Sequence, residues 1–112
     1  MSKVSGFEVF GSALRTKILI LVRLLKSTYA TELARLLNLS QPSVAQTVRS
    51  LETQGLLAIS SLGNQRMVSL NPRFFAATEL GALLDKLAEA DPVLLKAVAD
   101  LRRRPRKTGK KL

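Results

Sequence analysis

The feature that most limits how this chain can fold is a change of hydrophobic period at Gly55. Before it, apolar residues recur at helical spacing: Leu14, Ile18, Leu21 and Leu25, then Val44, Val48 and Leu51. From Leu56 the period is two. Leu57 and Ile59 alternate with Ala58 and Ser60, and beyond Gly63–Asn64 the pair Val68 and Leu70 alternates with Met67 and Ser69. Two alternating runs around a Gly-Asn pair predict a β-hairpin with a two-residue turn. Helical spacing then returns at Leu80, Leu83, Leu84, Leu87 and Ala88, and again at Leu94, Val98 and Leu101. The expected fold class is mainly α with one small β-hairpin, in the order α-α-α-β-β-α-α.

Caps and breakers set the expected boundaries. Ser12 suits the start of a first helix running to about Leu25, and Thr31 that of a second running to about Leu37. Asn38 tolerates the left-handed conformation that ends a helix. Ser40 opens a third helix, with Pro42 in its first turn and Gly55 beyond its end. Asn71–Pro72 predicts a short helical turn, a longer helix follows from about Thr78, and Asp91–Pro92 opens the last, which Pro105 stops. There is no internal repeat. The expected organisation is a loose lead-in over 1–11, one folded domain over 12–101, and a basic disordered tail over 102–112.

At 112 residues the chain has room for one domain. With one Tyr, four Phe and no Trp, its core must be built from Leu, Val, Ile and Ala. Lys and Arg total 18 against 8 acids, a net charge of +10. The last eleven residues hold seven of those cations, so residues 1–101 carry only +3. A polyanionic partner is the natural reading of that balance. There is no Cys and no His, which excludes disulfides, thiolate zinc sites and Ser-His or Cys-His dyads. The eight carboxylates form no ligand-spaced cluster, so neither catalysis nor a metal or cofactor is expected. The longest apolar run, Ile18 to Val22, falls far short of the ~20 residues a membrane span needs. No signal peptide is evident, and a cytoplasmic location is expected.

The chemistry centres on residues 31–54, two helices joined by a short polar turn. Val44, Val48 and Leu51 should lock the second of these helices against Leu33, Leu36 and Leu37. The opposite face carries Gln41, Ser43, Gln46, Thr47, Arg49 and Ser50, and the first acid is Glu52. Such a face suits the major groove of duplex DNA. Gln pairs bidentately with adenine, Ser and Thr read either partner, and Arg reaches guanine or phosphate. Gln41, Ser43, Gln46, Thr47 and Ser50 are the candidate base contacts, with Ser40 and Arg49 on the backbone.

This segment resembles the winged helix-turn-helix of ArsR-like and MarR-like bacterial regulators. The pattern there is matched here by Leu33–Ala34, Leu37, Leu39–Ser40, Ser43–Val44, Leu51–Glu52 and Gly55–Leu56. The likeness continues through Gly63 to Pro72, similar to the wing of such proteins, and spans roughly residues 12–90. It is most similar to small regulators associated with minimal nucleotidyltransferases. Asn38 replaces the usual turn glycine, and nothing stands where metal-sensing members place their ligands. The resemblance implies a sequence-specific duplex-DNA-binding regulator, acting as a repressor, with Asn64, Gln65 and Arg66 of the wing on the backbone or in the minor groove.

Further basic residues complete the expected surface. Arg15, Lys17, Lys26 and Arg35 are candidate phosphate anchors. In the tail, Arg102, Arg103, Arg104, Arg106 and Lys107 supply sequence-independent affinity. Helix 1 is apolar on several faces and asks for cover on more than one side. A homodimer through helix 1 and the C-terminal helices is therefore expected. Two other classes compete: a winged-helix protein-interaction module and an RNA-associated basic protein. The acid-free face on 41–50 favours DNA over the first, and a groove-sized helix favours it over the second, since the RNA major groove excludes side chains.

Overall fold

A computed structural model describes residues 9–103. Five helices and one antiparallel hairpin follow in the order α1 (Ala13–Leu25), α2 (Ala30–Leu37), α3 (Gln41–Thr53), β1 (Leu57–Leu62), β2 (Gln65–Leu70), α4 (Ala77–Glu89) and α5 (Pro92–Arg103). The fold is mainly helical with a small β-hairpin, as the change of period predicts.

Local chemistry explains most of the boundaries. The Ser12 hydroxyl accepts from the Arg15 amide at 3.2 Å, and the Ser40 hydroxyl from the Ser43 amide at 3.4 Å. Asp91 Oδ1 accepts from the Leu94 amide at 3.1 Å and opens α5 ahead of Pro92. Each satisfies an amide left without a partner in its helix's first turn. Asn38 ends α2 in the left-handed region, at φ 59°. In the hairpin, Ile59 stands opposite Val68 and Leu62 opposite Gln65, leaving Gly63 and Asn64 as the turn. Gly63 takes φ +65°, the positive value that tight hairpin turns require at their first central residue.

Three local expectations are corrected. The cap position of α2 is Tyr29 rather than Thr31, and its side chain makes no capping bond. Thr28 instead pairs with Val68, donating at 3.0 Å and accepting at 2.7 Å, so a third short extended piece joins the sheet and Ala30 begins the helix. Asn71 and Pro72 start no helix. The Asn71 carboxamide accepts from the Arg73 amide and donates to the Gly55 carbonyl, which holds the segment as a turn beside the end of α3. Lastly, α5 continues through Arg102 and Arg103, both expected in the tail. The lead-in over 1–8 and the tail residues Arg104, Arg106 and Lys107 lie outside the described residues.

The centre of the molecule is α1. Ile18, Leu19, Ile20, Leu21 and Val22 are all fully buried, though no helical stripe is five consecutive residues wide. The cover comes from the same chain: α1 packs on α3, α4, α5 and β2. The expectation that a second subunit covers α1 is therefore wrong. Polar contacts fix its neighbours in place. Arg23 makes a two-pronged pair with Asp85 at 2.9 and 3.0 Å, and this hydrogen-bonded guanidinium holds the Asp85 carboxyl below the usual carboxylate range. Gly81 leaves room for it, since a Cβ there would lie 2.8 Å from the Arg23 guanidinium. The Arg102 guanidinium donates to the Leu24 carbonyl at the other end of the same packing, a favourable place for a cation beside a helix C-terminus.

Candidate nucleic-acid interface

Helix α3 is held by its inner side. Val44, Val48 and Leu51 are buried and pack with Leu33 of α2, while Leu36 and Leu37 lie half-buried around them. That anchoring turns the polar residues outward. Gln41, Ser43, Gln46 and Arg49 are exposed, and no acid occurs between Gln41 and Leu51. Among the described residues the side chains of Gln41, Gln46 and Arg49 make no hydrogen bond or ion pair, so their donors and acceptors are open to a ligand.

The other candidates on α3 are partly engaged. The Ser40 and Ser43 hydroxyls bond to each other at 3.0 Å, and both remain exposed at the start of the helix. Thr47 is half-buried, and its hydroxyl donates back to the Ser43 carbonyl at 3.1 Å. Ser50 is turned to a different task. Its hydroxyl accepts from Arg15 Nη1 at 3.0 Å, while Arg15 Nη2 reaches Gln54 Oε1 and Nε donates to the Phe10 carbonyl at 2.7 Å. Arg15 thus clamps the start of α1 across the end of α3. As placed, Ser50 fits poorly as a base contact and Arg15 as a phosphate anchor. Periodicity alone puts Ser50 outward, and nothing local in the sequence shows that α1 crosses there.

The hairpin extends the surface. Asn64, at the turn, and Gln65 and Arg66 just after it are exposed and make no side-chain hydrogen bond among the described residues. Arg66 stands opposite Ser61, close to the tip rather than at the base where the sequence put it. Its base is pinned to the chain between α1 and α2 by the Thr28–Val68 pairing. Between α3 and the hairpin runs a groove of about 360 Å³, which sequence reasoning missed. Gln41 and Arg49 line one wall, Asn64, Gln65 and Arg66 the other, and Tyr29 and Thr31 lie at the start of α2. Only its individual residues, not their meeting, were legible beforehand.

The remaining cations are dispersed. Arg35 is exposed on α2 and Lys26 follows α1 at φ 73°, a conformation that side-chain-bearing residues seldom adopt. Arg102 and Arg103 are exposed at the end of α5, the former engaged with Leu24 and the latter with Asp100 at 3.1 Å. A smaller groove lies between Glu32, Arg35 and Leu36 of α2 and Ala97, Asp100 and Leu101 of α5, so the chain leaves Arg103 beside α2. Among the described residues no cluster of acids could hold a metal ion, and no helix is long and apolar enough to cross a membrane.

No protein-family model and no curated protein matches this sequence. Solved structures do. A point mutant of Lactococcus lactis ZitR aligns with a TM-score of 0.59 at 17% identity, over 87% of this chain and 64% of the ZitR chain. The chain therefore spans less than two thirds of that protein's length. Bordetella bronchiseptica BpsR, whose DNA binding is regulated by 6-hydroxynicotinic acid, aligns with a TM-score of 0.53 at 19% identity, over 82% of this chain and 72% of its own. The shared architecture is the winged helix-turn-helix, with α2 and α3 as its paired helices and β1–β2 as its wing.

Proposed function

We propose that this chain is a transcriptional regulator that represses by binding duplex DNA, with α3 in the major groove and the hairpin on the backbone or in the minor groove. The observation that carries the reading is the outer side of α3: exposed, free of acid from Gln41 to Leu51, and holding Gln41, Gln46 and Arg49 without internal partners. DNA binding by the BpsR neighbour supports it. Gln41, Ser43 and Gln46 are the base readers, Thr47 a supporting one, and Ser40, Arg49, Asn64, Gln65 and Arg66 hold sugar and phosphate. The subtype is ArsR/MarR-like, after the motif in residues 33–56, and association with a minimal nucleotidyltransferase belongs to the same resemblance. The protein itself performs no catalysis and works in the cytoplasm, where its DNA is.

Selection of binding sites from random duplexes is the direct test. Gln46→Ala should flatten the preference at one position, a loss of about 1–3 kcal/mol of discrimination, with folding unchanged. Equal selectivity in the variant and the parent would take Gln46 out of base readout. Failure of the parent to select any duplex would end the proposal.

A helix of α3's length, about 20 Å, reads only a few base pairs. Specific binding asks for two such helices one DNA turn, ~34 Å, apart, and hence for a homodimer. With α1 covered by its own chain, pairing falls to α4 and α5, where Leu83, Val93 and Leu95 are exposed, Val93 by 75%. Sedimentation should show a dimer at micromolar concentration. A stable monomer there would overturn the pairing.

A further inference from the structure

The groove between α3 and the hairpin holds more than a protein surface needs for touching a sugar-phosphate backbone. Its floor is apolar, made by Ala45 and Val48 of α3 and Ile59 and Val68 of the hairpin. Its volume, about 360 Å³, lies within the range of small-molecule sites. Two guanidiniums, Arg49 and Arg66, stand at its walls, and neither has a carboxylate partner among the described residues. No acid lines it. Phosphate contact calls for cations on a surface. An enclosed apolar floor beneath them calls for a molecule with an apolar body.

We propose that this groove binds a small organic anion, a carboxylate on a compact apolar body, and that the bound anion excludes duplex DNA. The apolar body displaces water from Val48, Ile59 and Val68. The carboxylate takes charge-assisted hydrogen bonds from Arg49 and Arg66, which are stronger than neutral ones. Gln41, Arg49 and Arg66 also belong to the DNA surface, so the two ligands compete for the same side chains. A ligand that binds only the DNA-free protein lowers the apparent DNA affinity by the factor 1 + [L]/Kd. This exclusion rests on the regulatory reading above, whereas occupancy of the groove does not.

The chain carries a built-in reporter. It has one Tyr and no Trp, and that tyrosine, Tyr29, lines the groove. Cyclohexanecarboxylate, which does not absorb where tyrosine does, is titrated into the full chain without DNA, beside cyclohexanecarboxamide and inorganic phosphate. The acid should change Tyr29 emission saturably, with half-saturation at millimolar concentration or below. The neutral amide should bind at least tenfold more weakly, and Arg49→Gln and Arg66→Gln should each weaken the acid at least fivefold. Backbone amide shifts should follow Val48, Ile59 and Val68 and leave Leu94 unmoved, which guards against a silent tyrosine. No saturable response by either readout, or equal binding of the amide, overturns the proposal. So does inorganic phosphate binding as tightly as the acid, since the groove is then a plain cradle for backbone phosphate.

A labelled duplex selected by the protein supplies the second arm. At the acid's half-saturating concentration its apparent Kd should double, and at ten times that concentration rise about elevenfold. An unchanged Kd overturns exclusion. Binding of a duplex but no acid sinks this inference and leaves the regulator standing. Binding of the acid but no duplex leaves the groove site standing and removes the regulator.

Discussion

Replacing Leu21 by alanine should lower the stability of the fold by about 2–5 kcal/mol, the cost of emptying a leucine site in a close-packed interior. Leu21 is fully buried at the centre of α1, between elements that cannot collapse onto the vacated space without moving one another. In a domain of this size each kcal/mol corresponds to about 4–8 °C in Tm. The midpoint should therefore drop by roughly 10–30 °C, measured by thermal unfolding. Val93→Ala, at a site 75% exposed, should stay within about 0.5 kcal/mol in the same assay at dilutions that separate subunits. The Leu21→Ala loss should persist at those dilutions, because α1 is covered by its own chain. A loss that vanished on dilution would return α1 to the subunit interface.

The affinity for duplex DNA should fall by about three to four orders of magnitude between 50 and 200 mM salt. A dimer neutralising ~6–8 phosphates releases their counterions, giving a slope of roughly −5 to −7 in log affinity against log salt. Part of that slope belongs to the tail. Residues 102–112 hold seven of the 18 cations, and the chain reaches them beside α2, the first helix of the paired motif. Removing residues 104–112 spares Arg102, which caps α1 through the Leu24 carbonyl, and Arg103, and still deletes five cations per chain. The truncated protein should show a flatter slope with the same base preference, read by fluorescence anisotropy on selected and scrambled duplexes. An unchanged slope would deny the tail any part in binding. A changed preference would show that it reads bases.

Much of the site's frame was legible because its causes are local. The caps at Ser12, Ser40 and Asp91 act on amides three residues away, and a two-residue turn fixes the register between Leu57 and Leu70. The buried trio Val44, Val48 and Leu51 follows from helical spacing alone. Where a distant segment supplies the partner, local reasoning failed. Thr31 looks like a cap, yet Thr28 meets Val68 first and the helix begins earlier. Ser50 looks outward on a helical projection, yet Arg15, 35 residues away, takes its hydroxyl.

By itself the sequence determined the element order, the hairpin and its turn, the apolar side of each helix and the acid-free outer side of α3. All of these depend on interactions within a few residues or on composition. Tertiary structure alone decided which cations are spent inside the molecule and which face out, that α1 is enclosed by its own chain, and that α3 and the wing enclose a groove. Those outcomes depend on which segments become neighbours in space, as Arg23 and Asp85 do across 62 residues. Periodicity reports the side on which a residue stands but not what it will meet there.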